Sequence, residues 1–191
     1  MPAADVAVVP DRTVDIDGRR VHVFDGLIAD AGEYEQALGK AFFTRTEIAR
    51  PDTAGYRHWV TETRLDALAR QPILAATQRA IAAVSPAAYR PYRAYTNVAS
   101  YGDVLFTHVD CLPGANELTA LWFMCGRWDI EWGGETVFFD ASDEIAFAVL
   151  PRPGRLVVFD GAIKHVGRPP SRVCFAPRYT FAIKFERVAA A

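Results

Sequence analysis

The sequence predicts a mainly β fold with its helices on the N-terminal side, a jelly roll or double-stranded β-helix, and two observations carry that prediction. From Pro91 onward the chain breaks into short runs rich in Val, Phe, Tyr, Trp and Thr, separated by Gly, Pro or Asp turns, which is how antiparallel strands read. Before that point apolar residues recur at helical spacing, so helices precede the strands instead of alternating with them. With 191 residues, 51% of them hydrophobic, the chain is expected to form one domain: 1–90 an N-terminal strand and supporting helices, 91–187 the jelly-roll core.

Residues 1–19 are polar and turn-rich and read as a loose leader. Arg20 to Asp25 reads as a short strand ended by Gly26. Ala31 to Phe43 reads as an amphipathic helix with Tyr34, Leu38 and Phe42 on one face. Between Thr44 and Thr63, Pro51, Asp52 and Gly55 mark a loop, with a short strand at Tyr56 to Val60. Pro72 fits the first turn of a second helix, in which Ile73, Thr77, Ala80, Ile81 and Val84 keep helical spacing until Ser85-Pro86 ends it. Eight strands are then expected at 92–101, 104–109, 118–125, 135–139, 145–149, 155–159, 172–175 and 178–187, with the helices bracing one outer sheet.

The formal charge is −2, from 21 basic and 23 acidic side chains spread along the chain, which leaves no footprint for nucleic acid or a membrane surface. No apolar run approaches the roughly 18 residues of a membrane span, and Met1 to Asp5 lacks the basic start of a secretory signal, so a cytoplasmic protein acting on a small molecule is expected. Three cysteines, Cys111, Cys125 and Cys174, without CxxC spacing, argue against a disulfide framework and a zinc knuckle; Cys111 is expected to be a buried thiol facing away from any site.

Chemistry concentrates in Phe106-Thr107-His108-Val109-Asp110 and in His165, 55 positions after the aspartate. In a strand His108 and Asp110 share one face. Two imidazoles and one carboxylate leave metal positions open, a set that suits non-haem Fe(II). A single strand histidine is usually structural, but here the His-x-Asp spacing, the later His165 and Arg178 thirteen positions beyond it act together. Arg178 and Thr180 share a face, opposite Tyr179, Phe181, Ile183 and Phe185. A buried arginine needs a partner, either a protein acid or the carboxylate of a bound molecule, and no acid is obviously reserved for it.

The second half of the chain resembles the iron(II)- and 2-oxoglutarate-dependent oxygenases, within them the prolyl 4-hydroxylase-like group, over about residues 91–187. The resemblance rests on Ser100-Tyr101-Gly102-Asp103, His108-Val109-Asp110, Thr119-Ala120-Leu121-Trp122-Phe123 and Gly133-Gly134-Glu135-Thr136-Val137-Phe138-Phe139. It continues through Pro153-Gly154-Arg155-Leu156-Val157-Val158-Phe159, His165 and Arg178-Tyr179-Thr180. The order and spacing of these pieces are more specific than any one of them.

The resemblance implies that His108, Asp110 and His165 bind Fe(II), and that Arg178, helped by Thr180, binds the 5-carboxylate of 2-oxoglutarate. It implies that Tyr101 lines the pocket near the iron; Tyr95 and Asn97 would share its face. Phe123 stands where some relatives carry a tyrosine, so Thr180 or Tyr95 would supply the missing hydroxyl. The loop Gly167 to Ser171 lengthens the approach to Arg178 and leaves Arg172 as a competing anchor.

The cosubstrates so implied are 2-oxoglutarate and O2, the products succinate, CO2 and a hydroxylated C–H position; Asp110 fills the place a halide would need. Arg57, Arg93, Arg127 or Arg168 could meet an acidic group of a small-molecule substrate such as an amino acid or biosynthetic intermediate. Trp128, Trp132 and Arg127 lie in the connection expected to vary with substrate, and His58 reads as a loop side chain. The alternatives are a hydroxylase of prolyl or other protein residues, a zinc-dependent hydrolase, and a non-catalytic jelly-roll binding protein.

Overall fold

A computed structural model describes residues 7–188. Within them the chain order is β1 (Arg12–Ile16), β2 (Arg19–Phe24), α1 (Ala31–Leu38), β3 (Thr44–Glu47), β4 (His58–Glu62), α2 (Leu65–Leu68) and α3 (Pro72–Val84). The core follows as β5 (Tyr89–Ala99), β6 (Leu118–Phe123), β7 (Thr136–Phe139), β8 (Ile145–Val149), β9 (Leu156–Asp160), β10 (His165–Gly167) and β11 (Arg178–Arg187). Eight strands form one sheet in the order β1-β2-β9-β6-β11-β5-β4-β3, and three form a second, β10-β7-β8. All strand pairs are antiparallel, which gives the jelly roll its two facing layers.

Strand alternation divides the apolar side chains into two cores. Phe123, Phe138, Phe147, Val157 and Phe159 pack between the sheets. On the outer face of the large sheet, Leu68 of α2 and Ile73, Ala80 and Ile81 of α3 pack on Trp122, Leu156, Ile183 and Phe185. Each buried Val, Leu, Ile or Phe among them contributes about 1.5–3 kcal/mol through burial. Trp122 donates Nε1–H to Thr77 Oγ1 at 2.9 Å, and that hydroxyl donates to the Ile73 carbonyl at 2.7 Å, so the polar atoms under the helix are satisfied. β11 runs through the middle of the large sheet between β5 and β6, with Tyr179, Phe181, Ile183 and Phe185 toward the helices and Arg178, Thr180, Ala182 and Lys184 toward the interior.

The structure departs from the sequence reading at several places. Part of the expected leader is strand: β1 pairs with β2 across Asp17-Gly18, both at positive φ (53° and 78°), and residues 1–6 lie outside the described range. The first helix stops at Leu38, so Phe42 is 83% exposed and Phe43, stacked on Tyr179 at 5.9 Å, takes the contact expected of it.

Residues 104–109 form no strand, because side chains take their carbonyls. The His108 ring takes that of Phe106 at 3.0 Å and Arg50 that of Thr107, leaving one isolated bridge, His108 to His165. Residues 172–175 form a turn closed by Cys174 N–H on Ser171 O, since Pro169, Pro170 and Pro177 withhold ladder donors.

Candidate metal and cosubstrate site

The isolated bridge sets the geometry of the site. His108 N–H donates to His165 O and His165 N–H to His108 O, both at 2.9 Å, a directly opposed antiparallel pair whose side chains leave on the same face. Asp110, two residues on, is fixed by its N–H on Gly161 O at 2.7 Å. The ligating atoms of His108, Asp110 and His165 consequently all lie within 4.8 Å of one another.

Each imidazole uses Nδ1 against the carbonyl two residues before it, Phe106 O at 3.0 Å and Ile163 O at 2.9 Å. With Nδ1–H donating there, the Nε2 lone pairs face the cluster, 3.6 Å (His108) and 3.7 Å (His165) from the nearer carboxylate oxygens of Asp110. Two neutral imidazole nitrogens and one carboxylate on one side fit a divalent metal with open positions opposite, which is the chemistry of this donor set.

Phe159 and Phe138 wall His165, with ring centroids 4.8 and 5.9 Å away. That burial pushes its pKa down to about 4, against the opposing pull of Asp110. Burial alone would raise the Asp110 carboxyl, but the buried Lys184 ammonium beside it, together with the two imidazoles, outweighs that and holds it well below the carboxylate range. Burial likewise lowers His58 and His22.

A pH dependence follows. With a folded-state value near 4 against 6.5 in the unfolded chain, His165 is protonated first in the unfolded chain. Protein stripped of metal is therefore expected to keep its full stability above pH 6.5 and to lose on the order of 2–3 kcal/mol of it as pH falls toward 4. Urea midpoints at pH 7.5 and 5 check this; an equal or higher midpoint at pH 5 contradicts it.

At the other side of the cavity Arg178 is 4% exposed. Its Nε–H donates to Gly134 O at 2.5 Å and Nη2–H to Thr136 Oγ1 at 2.9 Å, Thr180 Oγ1 lies 3.5 Å from Nη1, and the guanidinium covers the Phe123 ring at 5.2 Å. Burial lowers its pKa to about 10. Among the described residues no carboxylate forms an ion pair with it. Two glycines make its room: a Cβ on Gly134 would sit 3.2 Å from Arg178 Cδ, and one on Gly167 3.2 Å from Nη1. Arg172, by contrast, is exposed in the turn.

Of the other residues singled out in the sequence, Tyr95 is buried and lines the same cavity, as does Asn97. Tyr101 does not reach it: the Tyr101-Gly102 turn leaves that ring 64% exposed, outside the cavity lining. Arg93 is held by Glu47 and Glu62, Arg127 lies over Trp132 at 5.1 Å, and Arg57 and Arg168 are exposed, so none of the four offers its charge inside the cavity. Trp128 and Trp132 meet edge to face at 5.3 Å beside Gly134. Cys111 is half-buried and outside the lining, in line with a side chain turned away from the site.

Three cavity residues escaped the sequence reading. His58 lies on β4, 8% exposed, with Nε2 buried and unbonded, as is Asn97 Oδ1. Thr119 donates to Asp110 Oδ2 at 2.5 Å, and Lys184 forms an ion pair with the same oxygen. Lys184 was within reach of the sequence, because it continues the alternation of Arg178, Thr180 and Ala182. His58 was not, because nothing local says that β4 pairs with β5.

Residues 96–185 match the family model described as the 2OG-Fe(II) oxygenase superfamily. No curated protein matches. Among solved structures, a prolyl hydroxylase from Trichoplax adhaerens, in complex with a fragment of the hypoxia inducible factor oxygen degradation domain, is 12% identical with a TM-score of 0.64. The alignment covers 87% of this chain and 83% of that one. A prolyl-4-hydroxylase of Pseudomonas putida is 16% identical, TM-score 0.61, over 88% of this chain and 93% of that one. HygX from Streptomyces hygroscopicus, with nickel and 2-oxoglutarate bound, is 14% identical, TM-score 0.60, over 87% and 82%. At these identities the likeness is one of fold.

Proposed function

We propose that this chain, which carries a domain of the 2OG-Fe(II) oxygenase superfamily, hydroxylates an unactivated C–H bond of a polar small molecule, and that His108, Asp110 and His165 hold the iron. The family works with Fe(II), 2-oxoglutarate and O2. The observation that carries the reading is one cavity with two ends: a two-histidine, one-carboxylate cluster at one, and at the other a buried guanidinium without a protein carboxylate. A dicarboxylate that reaches from the cluster to Arg178 completes both ends, one carboxylate at the metal and the other on the guanidinium.

When bound, the metal with 2-oxoglutarate and O2 supplies the oxidation: one oxygen atom goes to the substrate C–H bond and the other to succinate, with release of CO2. The chain supplies position and dryness. His108 and His165 keep their lone pairs on the cluster through their Nδ1 bonds, and Phe138 and Phe159 exclude water behind His165. The His108 side chain is 25% exposed against 8% for His165, so substrate enters on the His108 side. There His58 Nε2 and Asn97 Oδ1 await hydrogen-bonding groups of a bound molecule.

The test is succinate release from Fe(II)-loaded protein and 2-oxoglutarate across a panel of amino acids, amino sugars and a proline-containing peptide. Stimulation by a free small molecule supports the proposal. Stimulation by the peptide alone assigns a protein-residue hydroxylase instead, and turnover of ester or amide substrates without 2-oxoglutarate would assign a hydrolase.

A further inference from the structure

Lys184 is the charged side chain in the cavity that the chemistry above leaves without a task. It is 7% exposed, its Nζ donates to Thr119 Oγ1 at 3.0 Å, and it forms an ion pair with Asp110 Oδ2. Its Nζ lies 5.9 Å from the centroid of the Tyr95 ring. The neighbouring cation, Arg93, is committed to Glu47 and Glu62. The two oxygens of Asp110 are unequally engaged: Oδ2 takes Thr119 and Lys184 and lies 3.7 Å from His165 Nε2, while Oδ1 lies 3.6 Å from His108 Nε2.

We infer that Lys184 is a positioning residue of the metal centre, a built-in cation that holds Asp110 Oδ2 so that the carboxylate faces the two imidazoles, and that neutralises the carboxylate whenever no metal does. This rests on the metal-site reading above. A carboxylate buried in a cavity that Leu121 and Phe159 also line is destabilising without a counter-charge. Lys184 supplies that charge. Were a divalent ion bound by the Asp110 carboxylate, the ammonium on Oδ2 would repel it, so Lys184 pre-forms the site and weakens its grip on metal.

The test uses chelator-stripped full-length protein, wild type, K184M, D110N and K184M/D110N, melted with and without Mn(II) and titrated with Mn(II) by calorimetry. Stripped K184M is expected to melt about 10 °C below stripped wild type. Mn(II) should recover most of that loss, with a larger rise in melting temperature than in wild type and about tenfold tighter binding. K184M/D110N should melt above either single variant, because neither charge is then buried alone; this arm decides the matter if stripped K184M does not fold.

A loss in K184M that is equal with and without Mn(II) would make Lys184 a packing residue and overturn the inference. So would unchanged Mn(II) affinity with weakened 2-oxoglutarate binding to the Mn(II) form, which would make it a ligand of the cosubstrate. If wild type itself gains nothing from Mn(II), the metal site fails first, and that outcome is distinct from the other two.

Discussion

Asp110→Ala and His165→Ala are expected to abolish succinate formation, a loss of more than about 100-fold, since removal of even a supporting group around a metal costs 10–100-fold. The two variants fail for different physical reasons. His165→Ala removes a neutral donor and opens a hole against Phe138 and Phe159, so it loses metal and packing together. Asp110→Ala also strands the Lys184 ammonium in a buried place, and a lone buried charge costs about 3–5 kcal/mol. Its melting temperature should therefore fall further than that of Asp110→Asn, which keeps an acceptor for Thr119 and Lys184. Metal content by mass spectrometry and melting curves separate the two losses; wild-type-like turnover in either variant would sink the metal assignment.

Arg178→Ala should raise the 2-oxoglutarate concentration needed for half-maximal rate by about 100-fold, the size expected when one partner of a buried, hydrogen-bonded charge pair is truncated. The carboxylate would be left facing Thr180 Oγ1, Thr136 Oγ1 and the Phe123 ring, which offer hydroxyls and no charge. Arg178→Lys keeps the charge and loses the planar fork, so it should fall between the two. Steady-state rates against 2-oxoglutarate check the series. An unchanged requirement in Arg178→Ala together with a raised one in Arg172→Ala would move the anchor to the turn at 172.

The parts of this fold that were legible in the sequence are those where local pattern and burial agree. In β11 the alternation of Arg178, Thr180, Ala182 and Lys184 with four large apolar side chains is a period of two with an unmistakable face. The second helix announces itself through Pro72 and its apolar spacing.

What stayed hidden depends on partners far along the chain. The segment 104–109 has the composition of a strand, but Arg50 and the His108 ring take its carbonyls, and no local rule reports a side chain 57 positions away. β10 is too short, at three residues, to carry a pattern of its own. The Asp17-Gly18 turn between Val14-x-Ile16 and Val21-x-Val23 was visible and marks a hairpin that the reading of a loose leader passed over.

The two-faced character of β11 also bears on how the chain finds its fold. A slip of one residue against β5 and β6 would carry Arg178 and Lys184 into the layer beneath α3 and turn Phe181, Ile183 and Phe185 toward the polar cavity. Two unpaired charges in hydrocarbon would make that misregistered chain far less stable than the native one. The residues that ready the strand for an anion and a metal thus act during folding as a proofreading mark, discarding alignments that hydrophobic matching alone would tolerate.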